Sequence, residues 1–142
     1  HGIEFRDIST RYGSSPDAPL VVDHISFSVP RGALTTILGP SGCGKTTTLR
    51  LIAGLESPTS GCIFIDGQDV TPLGPAQRNV SLVFQNYALF PHMNVIDNVV
   101  YGLHLSDLGK QQVRDKARAL LDTVGLHGLD QRRPHELSGG QQ

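Results

Sequence analysis

The sequence predicts a mixed α/β fold, and three features of its 142 residues support this prediction. The first part, with "IEFRDI" and "ISFSV", alternates apolar and polar residues as half-buried strands do. A short apolar segment, "ALTTIL", then runs through a glycine-rich loop into a helical pattern. After a further β segment the chain is mostly helical. This order predicts an α/β core with an antiparallel β flank (about 1–85) and a helical part (about 86–142).

Local patterns predict the strands and turns. "YGSSPDAP" is rich in turn-forming residues and predicts a loop between the first two strands. "ALTTIL" and "NVSLVFQ" are short and apolar, which predicts two buried strands. "CIFIDGQDV" predicts two strands joined by a turn at Asp66 and Gly67, because such a pair readily adopts the tight hairpin turn.

Three segments have helical periodicity. "KTTTLRLIAGL" predicts a helix that begins near Lys45 and ends at Gly54. Asn94 is predicted to cap a helix over "VIDNVVYGL", with Asp97 in its first turn. "KQQVRDKARALLDTVGL" predicts an amphipathic helix that ends at Gly125. The predicted inward faces of the first and third helices are Leu49, Ile52 and Ala53, and Val113, Ala117, Leu120, Leu121 and Val124.

Composition excludes several classes of protein. A formal net charge of -1 gives no reason to expect nucleic acid or an anionic lipid surface as a partner. No apolar run approaches the roughly 18 residues of a membrane span, so we expect any membrane association to run through another protein. Cys43 and Cys62 have neither disulfide-framework nor zinc spacing, which is typical of a reducing cytosol. The chain begins with His1 and stops at Gln142 inside a motif, so we expect it to be a piece of a longer protein.

The glycine-rich loop predicts a phosphate-binding site. Residues 39–46 match G-x-x-x-x-G-K-[ST], between a predicted strand and a predicted helix. Glycines let backbone N–H groups curl around phosphate oxygens, and the helix N-terminus favours the same anion. Lys45 adds a full charge, and Thr46 offers a hydroxyl to Mg²⁺. The predicted ATP-binding residues here are Gly39, Pro40, Ser41, Gly42, Cys43, Gly44, Lys45, Thr46 and Thr47.

Two alternatives stay open for this loop. It could be a glycine-rich turn with a chance lysine, although both flanking elements are as the motif requires. Cys43 lies inside the loop, so alkylating its thiol is predicted to block nucleotide entry; the alternative is an unreactive small residue. The motif alone does not distinguish kinases, GTPases, helicases and transport ATPases.

Three stretches together resemble one family. "ILGPSGCGKTTTLRLIAGLESPTSG", "VFQNYALFPHMNV" and "LSGGQQ" are similar to the nucleotide-binding subunit of ABC (ATP-binding cassette) transporters, and the resemblance covers the whole chain in order. The greatest similarity is to the importer group that handles ferric iron, polyamines, sugars and phosphonates. The resemblance implies an ABC-type ATPase fold with a P-loop core, here truncated.

The resemblance also implies roles for residues outside the loop. Tyr12 falls where the family places an aromatic ring against adenine, and Gln85 matches a glutamine that reaches Mg²⁺ or the attacking water. The alternatives are a locally packed tyrosine and a surface glutamine. The signature residues Ser138, Gly139, Gly140 and Gln141 would face the γ-phosphate bound on a second copy, in a head-to-tail dimer. Ser138 and Gln141 also match a capping box at a helix start.

Partners and location follow from the same resemblance. The stretch "YALFPHMNV" would help to form a groove for a coupling helix of a transmembrane permease; the alternative is plain core packing. The subunit would then lie at the cytoplasmic face of the membrane, peripheral through the permease and indirectly served by a solute-binding protein. The solute itself is not assigned by these motifs.

The family pattern breaks after the signature. The Walker B aspartate, the catalytic glutamate and the switch histidine cannot be assigned in this chain, which leaves Lys45 and Gln85 as the catalytic candidates. We therefore expect the 142-residue chain alone to hydrolyse ATP negligibly. The family's Walker B strand would lie beside the strand before the loop, so we expect an apolar edge there without it. Alternative functions are a soluble, non-transport ABC ATPase, a binding or dimerising module without turnover and, less favoured by "LSGGQQ", a kinase or GTPase.

Overall fold

A four-stranded antiparallel sheet forms most of the first part of the molecule. The computed structural model describes residues 2–13, 15, 17–103 and 109–142, which form two compact units, 1–82 and 83–142. The strands are β1 (Gly2–Arg11), β2 (Leu20–Pro30), β3 (Ser60–Ile65) and β4 (Gln68–Asp69), in the order β2-β1-β3-β4. Helix α1 (Lys45–Ala53) and a 3₁₀ turn (Pro75–Gln77) complete this unit.

The core of the first unit lies on one face of the sheet. Phe5 on the central strand pairs with Phe27 on β2 and with Ile63 on β3, and the Phe5 and Phe27 rings stack with centroids 4.6 Å apart. Ile8 and Leu51 are fully buried beside them. The alternation of apolar and polar residues therefore placed the first two strands correctly.

The predicted turn and helix end of the first unit are confirmed. Asp66 and Gly67 both have positive φ, 49° and 83°, as the turn between β3 and β4 requires. Helix α1 ends at Gly54, whose φ of 74° is left-handed. The predicted inward face of α1 is wrong in part. Leu49 is 45% exposed, whereas Leu51 is fully buried and Thr47 and Thr48 are buried beside it on the helix. The buried face of α1 includes two threonines, so the spacing of apolar residues alone does not identify it.

The two short buried strands predicted at "ALTTIL" and "NVSLVFQ" are absent from the described structure. Residues 33–38 and 79–84 have no strand assignment, and Leu34, Leu38 and Val83 are 98%, 86% and 80% exposed. A strand needs a hydrogen-bonded neighbour, and no described residue pairs with either segment. Apolar composition alone therefore did not fix their conformation.

Helices α2 (Val95–Leu103) and α3 (Lys110–Thr123) and a 3₁₀ turn (Pro134–Glu136) form the second unit. The core consists of Val95, Ile96, Val100, Val113, Ala117 and Leu121. The predicted face of α3 is wrong at Leu120 and Val124, which are 47% and 68% exposed, because α2 covers only a narrow stripe of α3. None of the described helices is long and apolar enough to cross a membrane.

The predicted cap of α2 is confirmed. The Asn94 side-chain oxygen accepts the backbone N–H of Asp97 at 2.8 Å. Asp97 also lies in the first turn, where its charge suits the helix dipole, and it accepts a hydrogen bond from Arg114 on α3 at 3.1 Å. Gly125, with φ of 76°, follows the end of α3 as predicted.

Replacing Asn94 by alanine is expected to lower the free energy of unfolding by about 1 kcal/mol, because the first turn of α2 loses its side-chain acceptor. Urea unfolding followed by circular dichroism measures the change. Asn94→Asp retains an acceptor and should stay close to wild type. Asn86→Ala is a matched control, since this exposed side chain caps no helix. Equal effects of Asn94→Ala and Asn86→Ala would contradict the assignment.

Candidate functional site

The glycine-rich loop enters α1 through Gly44, which tolerates no side chain. Gly44 has a φ of 89°, and a Cβ atom there would lie 2.9 Å from the Val21 carbonyl oxygen and 3.3 Å from Val22 Cγ2. A Cβ on Gly39 would lie 2.5 Å from the Cys43 sulfur, which is the end of a side chain and can move aside. The second and third loop glycines, Gly42 and Gly44, both have left-handed φ. The tight curl predicted from the motif is therefore present.

The N-terminus of α1 presents unused donors. No described residue accepts the backbone N–H of Lys45, Thr46 or Thr47, and no acidic side chain occupies the first turn. The Gly44 carbonyl, by contrast, accepts both the N–H of Thr48 at 2.8 Å and its hydroxyl at 2.9 Å. Free N–H groups and the helix dipole together favour an anion at this point.

Lys45 places its charge over the loop. Its ammonium donates to the carbonyl oxygens of Gly39 at 2.7 Å and Pro40 at 2.6 Å, and it lies 3.6 Å from the Cys43 sulfur. None of the ion pairs among the described residues includes Lys45. The loop thus holds a cation without a carboxylate partner, which is what a phosphate group requires.

Three consecutive threonines have different environments. Thr46 is exposed, with its hydroxyl unengaged by any described group. Thr47 is buried and its hydroxyl lies 3.0 Å from the hydroxyl of Tyr12. Thr48 is buried and bonded to the loop carbonyl described above. Thr46 is therefore the hydroxyl that fits a hard cation such as Mg²⁺ beside a bound phosphate.

Cys43 and the remaining loop residues are open to solvent. Pro40, Ser41 and Cys43 are exposed, and a Cβ on Gly42 would meet no atom within 4 Å. An adduct on the Cys43 sulfur would stand beside the Lys45 ammonium, where a phosphate is expected to bind.

Alkylating Cys43 with N-ethylmaleimide is expected to lower ATP affinity at least about tenfold, because the adduct displaces the phosphate chain from Lys45. The measurement is a fluorescent-nucleotide titration of Cys62→Ser protein, in which Cys43 is the only thiol among these 142 residues. Bound ATP should in turn slow the alkylation. Cys43→Ser, Cys62→Ser protein treated with the same reagent is the control. Normal ATP binding by fully modified protein would disprove the prediction.

The other predicted site residues lie in different parts of the fold. Tyr12 directly follows β1 in the first unit and is 47% exposed. Gln85 is exposed and belongs to a turn in the second unit, in which Tyr87 and Ala88 have positive φ of 58° and 52°. A hydrogen bond between their hydroxyl groups joins Tyr12 to Thr47, which directly follows the loop motif. Gln85 belongs to the second unit.

The signature residues form a turn without a helix in the described chain. The Ser138 N–H donates to the Gln141 side-chain oxygen at 3.0 Å, which is half of the predicted capping box. The Gln141 N–H donates to the Ser138 backbone carbonyl at 2.9 Å and not to the side chain. Gly139 and Gly140 have open space where a side chain would begin. The Gln142 N–H also donates to the Ser138 carbonyl, at 3.2 Å, which is the spacing of a first helical turn, so the helix start stays a prediction.

The Asn98 side chain bonds to several backbone groups of the stretch "YALFPHMNV", a contact that sequence reasoning missed. The Asn98 side chain accepts the N–H of Phe90 at 2.9 Å and donates to the Phe90 carbonyl at 3.2 Å and the Asn94 carbonyl at 3.0 Å. The Phe90 ring packs on Tyr101 with centroids 4.6 Å apart. Leu89 lines a small apolar cavity of about 90 Å³ with Val95, Asn98, Val99, Leu121, Leu126, Pro134, Leu137, Gln141 and Gln142. The stretch is thus partly core and partly surface, since Tyr87 is exposed.

Arg78 is the second residue that sequence reasoning missed. Its buried guanidinium donates to the carbonyl oxygens of Leu51 at 2.6 Å, Leu73 at 2.8 Å, and Ile52 and Thr71 at 3.3 Å each. Burial lowers the pKa of Arg78, and the charge of Asp69 opposes that effect. Two of these carbonyls belong to the last turn of α1, so Arg78 supports the helix from the end opposite the loop.

Comparison with known proteins identifies a family that agrees with the predicted fold. The family model described as ABC transporter matches residues 22–142. The chain is 54% identical, over 99% of its length, to the Fe(3+) ions import ATP-binding protein FbpC 1 of Rhizobium meliloti (strain 1021). It is 47% identical, over the same share, to FbpC of Escherichia coli O157:H7. It covers 38% and 39% of these two relatives, so it spans about two fifths of their length.

A solved structure shares the fold. The dimeric post-hydrolysis state of the ATP-binding cassette MJ0796 bound to ADP and Pi superposes with a TM-score of 0.83 at 25% identity, covering 98% of this chain and 64% of that one. The fold and site define a P-loop nucleotide-binding cassette. The chain belongs to the ABC transporter family. The fold class predicted from the sequence and the stated resemblance are both confirmed.

Proposed function

We propose that this chain is the ATP-binding part of an ABC importer subunit, which couples ATP binding and hydrolysis to solute uptake. The observation that carries the proposal is the loop before α1, where unused N–H donors and the unpaired Lys45 ammonium meet beside Gly44, a position that excludes a side chain. The names of the relatives make ferric iron the proposed solute.

In this proposal the loop and α1 hold the phosphate chain of ATP. The backbone N–H groups of Lys45 and Thr46 and the Lys45 ammonium bind phosphate oxygens, and the ammonium exchanges its present carbonyl partners for them. Thr46 holds Mg²⁺, which neutralises charge on the phosphates when bound. Tyr12 offers its ring face to adenine, and the Gln85 amide reaches Mg²⁺ or the attacking water.

The proposed partners complete the site. Ser138, Gly139, Gly140 and Gln141 act on the nucleotide of a second copy, in the head-to-tail arrangement inferred from the family; dimers are known for the related cassette. Transmembrane permease subunits bind the surface around Tyr87 and place the assembly at the cytoplasmic face of the membrane. A solute-binding protein delivers the solute to the permease. The alternatives remain a soluble ABC ATPase and a binding module without turnover.

Iron uptake by intact cells tests the proposal. In cells that lack the gene, the intact protein should restore uptake of radiolabelled ferric iron, and the Lys45→Ala variant should not. Affinity purification of the intact protein should recover a multi-span membrane protein. Restored uptake of a sugar or polyamine instead would keep the import function and refute iron. ATP turnover without any membrane partner would favour the soluble alternative, and ATP binding without turnover would favour the binding module.

A further inference from the structure

Tyr12 and Thr47 connect two elements that lie far apart in the sequence. The Tyr12 hydroxyl lies 3.0 Å from the Thr47 hydroxyl, across 35 residues of chain. Thr47 is buried in the first turn of α1, whereas Tyr12 is 47% exposed and is followed by Gly13, whose φ is 98°. Among the described residues, no other group bonds to the Thr47 hydroxyl, so Tyr12 is its hydrogen-bond partner there.

The chemistry of the two hydroxyl groups sets a direction for this bond. A phenol is a stronger donor than an aliphatic alcohol, and a threonine oxygen can accept one hydrogen bond while its own proton is donated elsewhere. With Tyr12 as donor, the Thr47 proton stays available for a phosphate oxygen at the helix N-terminus.

We infer that the Tyr12 hydroxyl is a positioning group, which fixes the aromatic ring at a set distance from the phosphate-binding end of α1 through Thr47. The inference rests on the proposed function, in which the loop binds phosphates and the ring binds the base. A half-exposed ring would otherwise lose rotational freedom when a base stacks on it. The bond to Thr47 removes part of that freedom before the nucleotide arrives.

The Tyr12 hydroxyl should therefore raise the affinity for ligands that contain a base and leave the affinity for phosphate alone nearly unchanged. In the intact protein, Tyr12→Phe keeps the ring face and removes the hydroxyl. Its affinity for ATP should fall about five- to tenfold, the size of one hydrogen bond. Its affinity for inorganic tripolyphosphate, which has no base, should change less than about twofold. Calorimetric titration with the two ligands measures both values, and circular dichroism checks the fold.

Variants at Thr47 separate positioning from a merely structural role. In a Thr47→Ser background, where the hydroxyl is kept, Tyr12→Phe should still weaken ATP binding by the same factor. In a Thr47→Val background, where the hydroxyl is gone, Tyr12→Phe should have no further effect on ATP binding. Thr47→Val alone should lower the affinity for both ligands, since it removes a hydroxyl that donates to phosphate.

Three results would overturn the inference. Tyr12→Phe could leave ATP affinity unchanged, could weaken ATP and tripolyphosphate equally, or could have its full effect in the Thr47→Val background. Failure of the proposed function gives a different pattern. Wild-type protein would then bind neither ligand, or would bind both equally well after Lys45→Ala, and the positioning role would fall with it.

Discussion

The Lys45→Ala variant is expected to lose at least about 100-fold in ATP affinity, because hydrogen bonds from a charged donor to phosphate contribute about 1.5–3 kcal/mol each. The Lys45 ammonium is the only charge bonded to the loop carbonyls in the described structure. Its loss also frees the carbonyls of Gly39 and Pro40, but both residues are exposed and water can bind them. We therefore expect the effect to fall on ligand binding and not on stability.

A fluorescent-nucleotide titration measures this affinity, and urea unfolding checks the fold of the variant. Lys116→Ala is the matched control, because Lys116 is an exposed lysine on α3 without an ion pair among those described. Binding by Lys45→Ala within about threefold of wild type would refute the phosphate site. A large loss of stability without a change in affinity at low temperature would show instead that Lys45 supports the loop.

The Arg78→Leu variant is expected to lower the free energy of unfolding by about 3–5 kcal/mol, since removing a buried charged partner leaves several carbonyls unsatisfied. Arg78 is only 4% exposed, and its four carbonyl acceptors include two in the last turn of α1. This loss is a large share of the free energy of unfolding of a typical folded domain, which is about 5–15 kcal/mol. Arg78→Lys should recover part of it, because an ammonium cannot reach all of these acceptors.

Urea unfolding monitored by circular dichroism measures the loss. Arg31→Leu in the same unit is the control, since Arg31 is 80% exposed and lies 4.0 Å from Asp66. An exposed pair of this kind contributes at most about 1 kcal/mol. If Arg78→Leu and Arg31→Leu had the same small effect, the carbonyl contacts of Arg78 would not be stabilising.

Local chemistry explains which features the sequence could predict. The Asp66-Gly67 turn, the Asn94 cap and the Gly54 helix end depend on residues within a few positions of one another, and each is present in the structure. The phosphate loop is local in the same sense. Its glycines, lysine and helix start are consecutive, so one motif predicts them all.

The predictions that failed depend on partners far away in the chain. Apolar composition identified residues 33–38 as a strand, yet a strand exists only where another backbone pairs with it. Arg78 bonds to α1 across 26 and 27 residues, and no local pattern signals that contact. The inward face of α1 was missed for another reason, since Thr47 and Thr48 are buried through their hydroxyl bonds.

Helix α1 is restrained at both ends by groups outside itself. Gly44 abuts the β2 backbone at Val21, and Arg78 grips the opposite end while also binding Leu73 and Thr71. A helix held at both ends in this way cannot move along its axis without breaking these contacts. An anion that binds at the first turn of α1 therefore meets a helix whose other end is tied to the chain between Thr71 and Arg78.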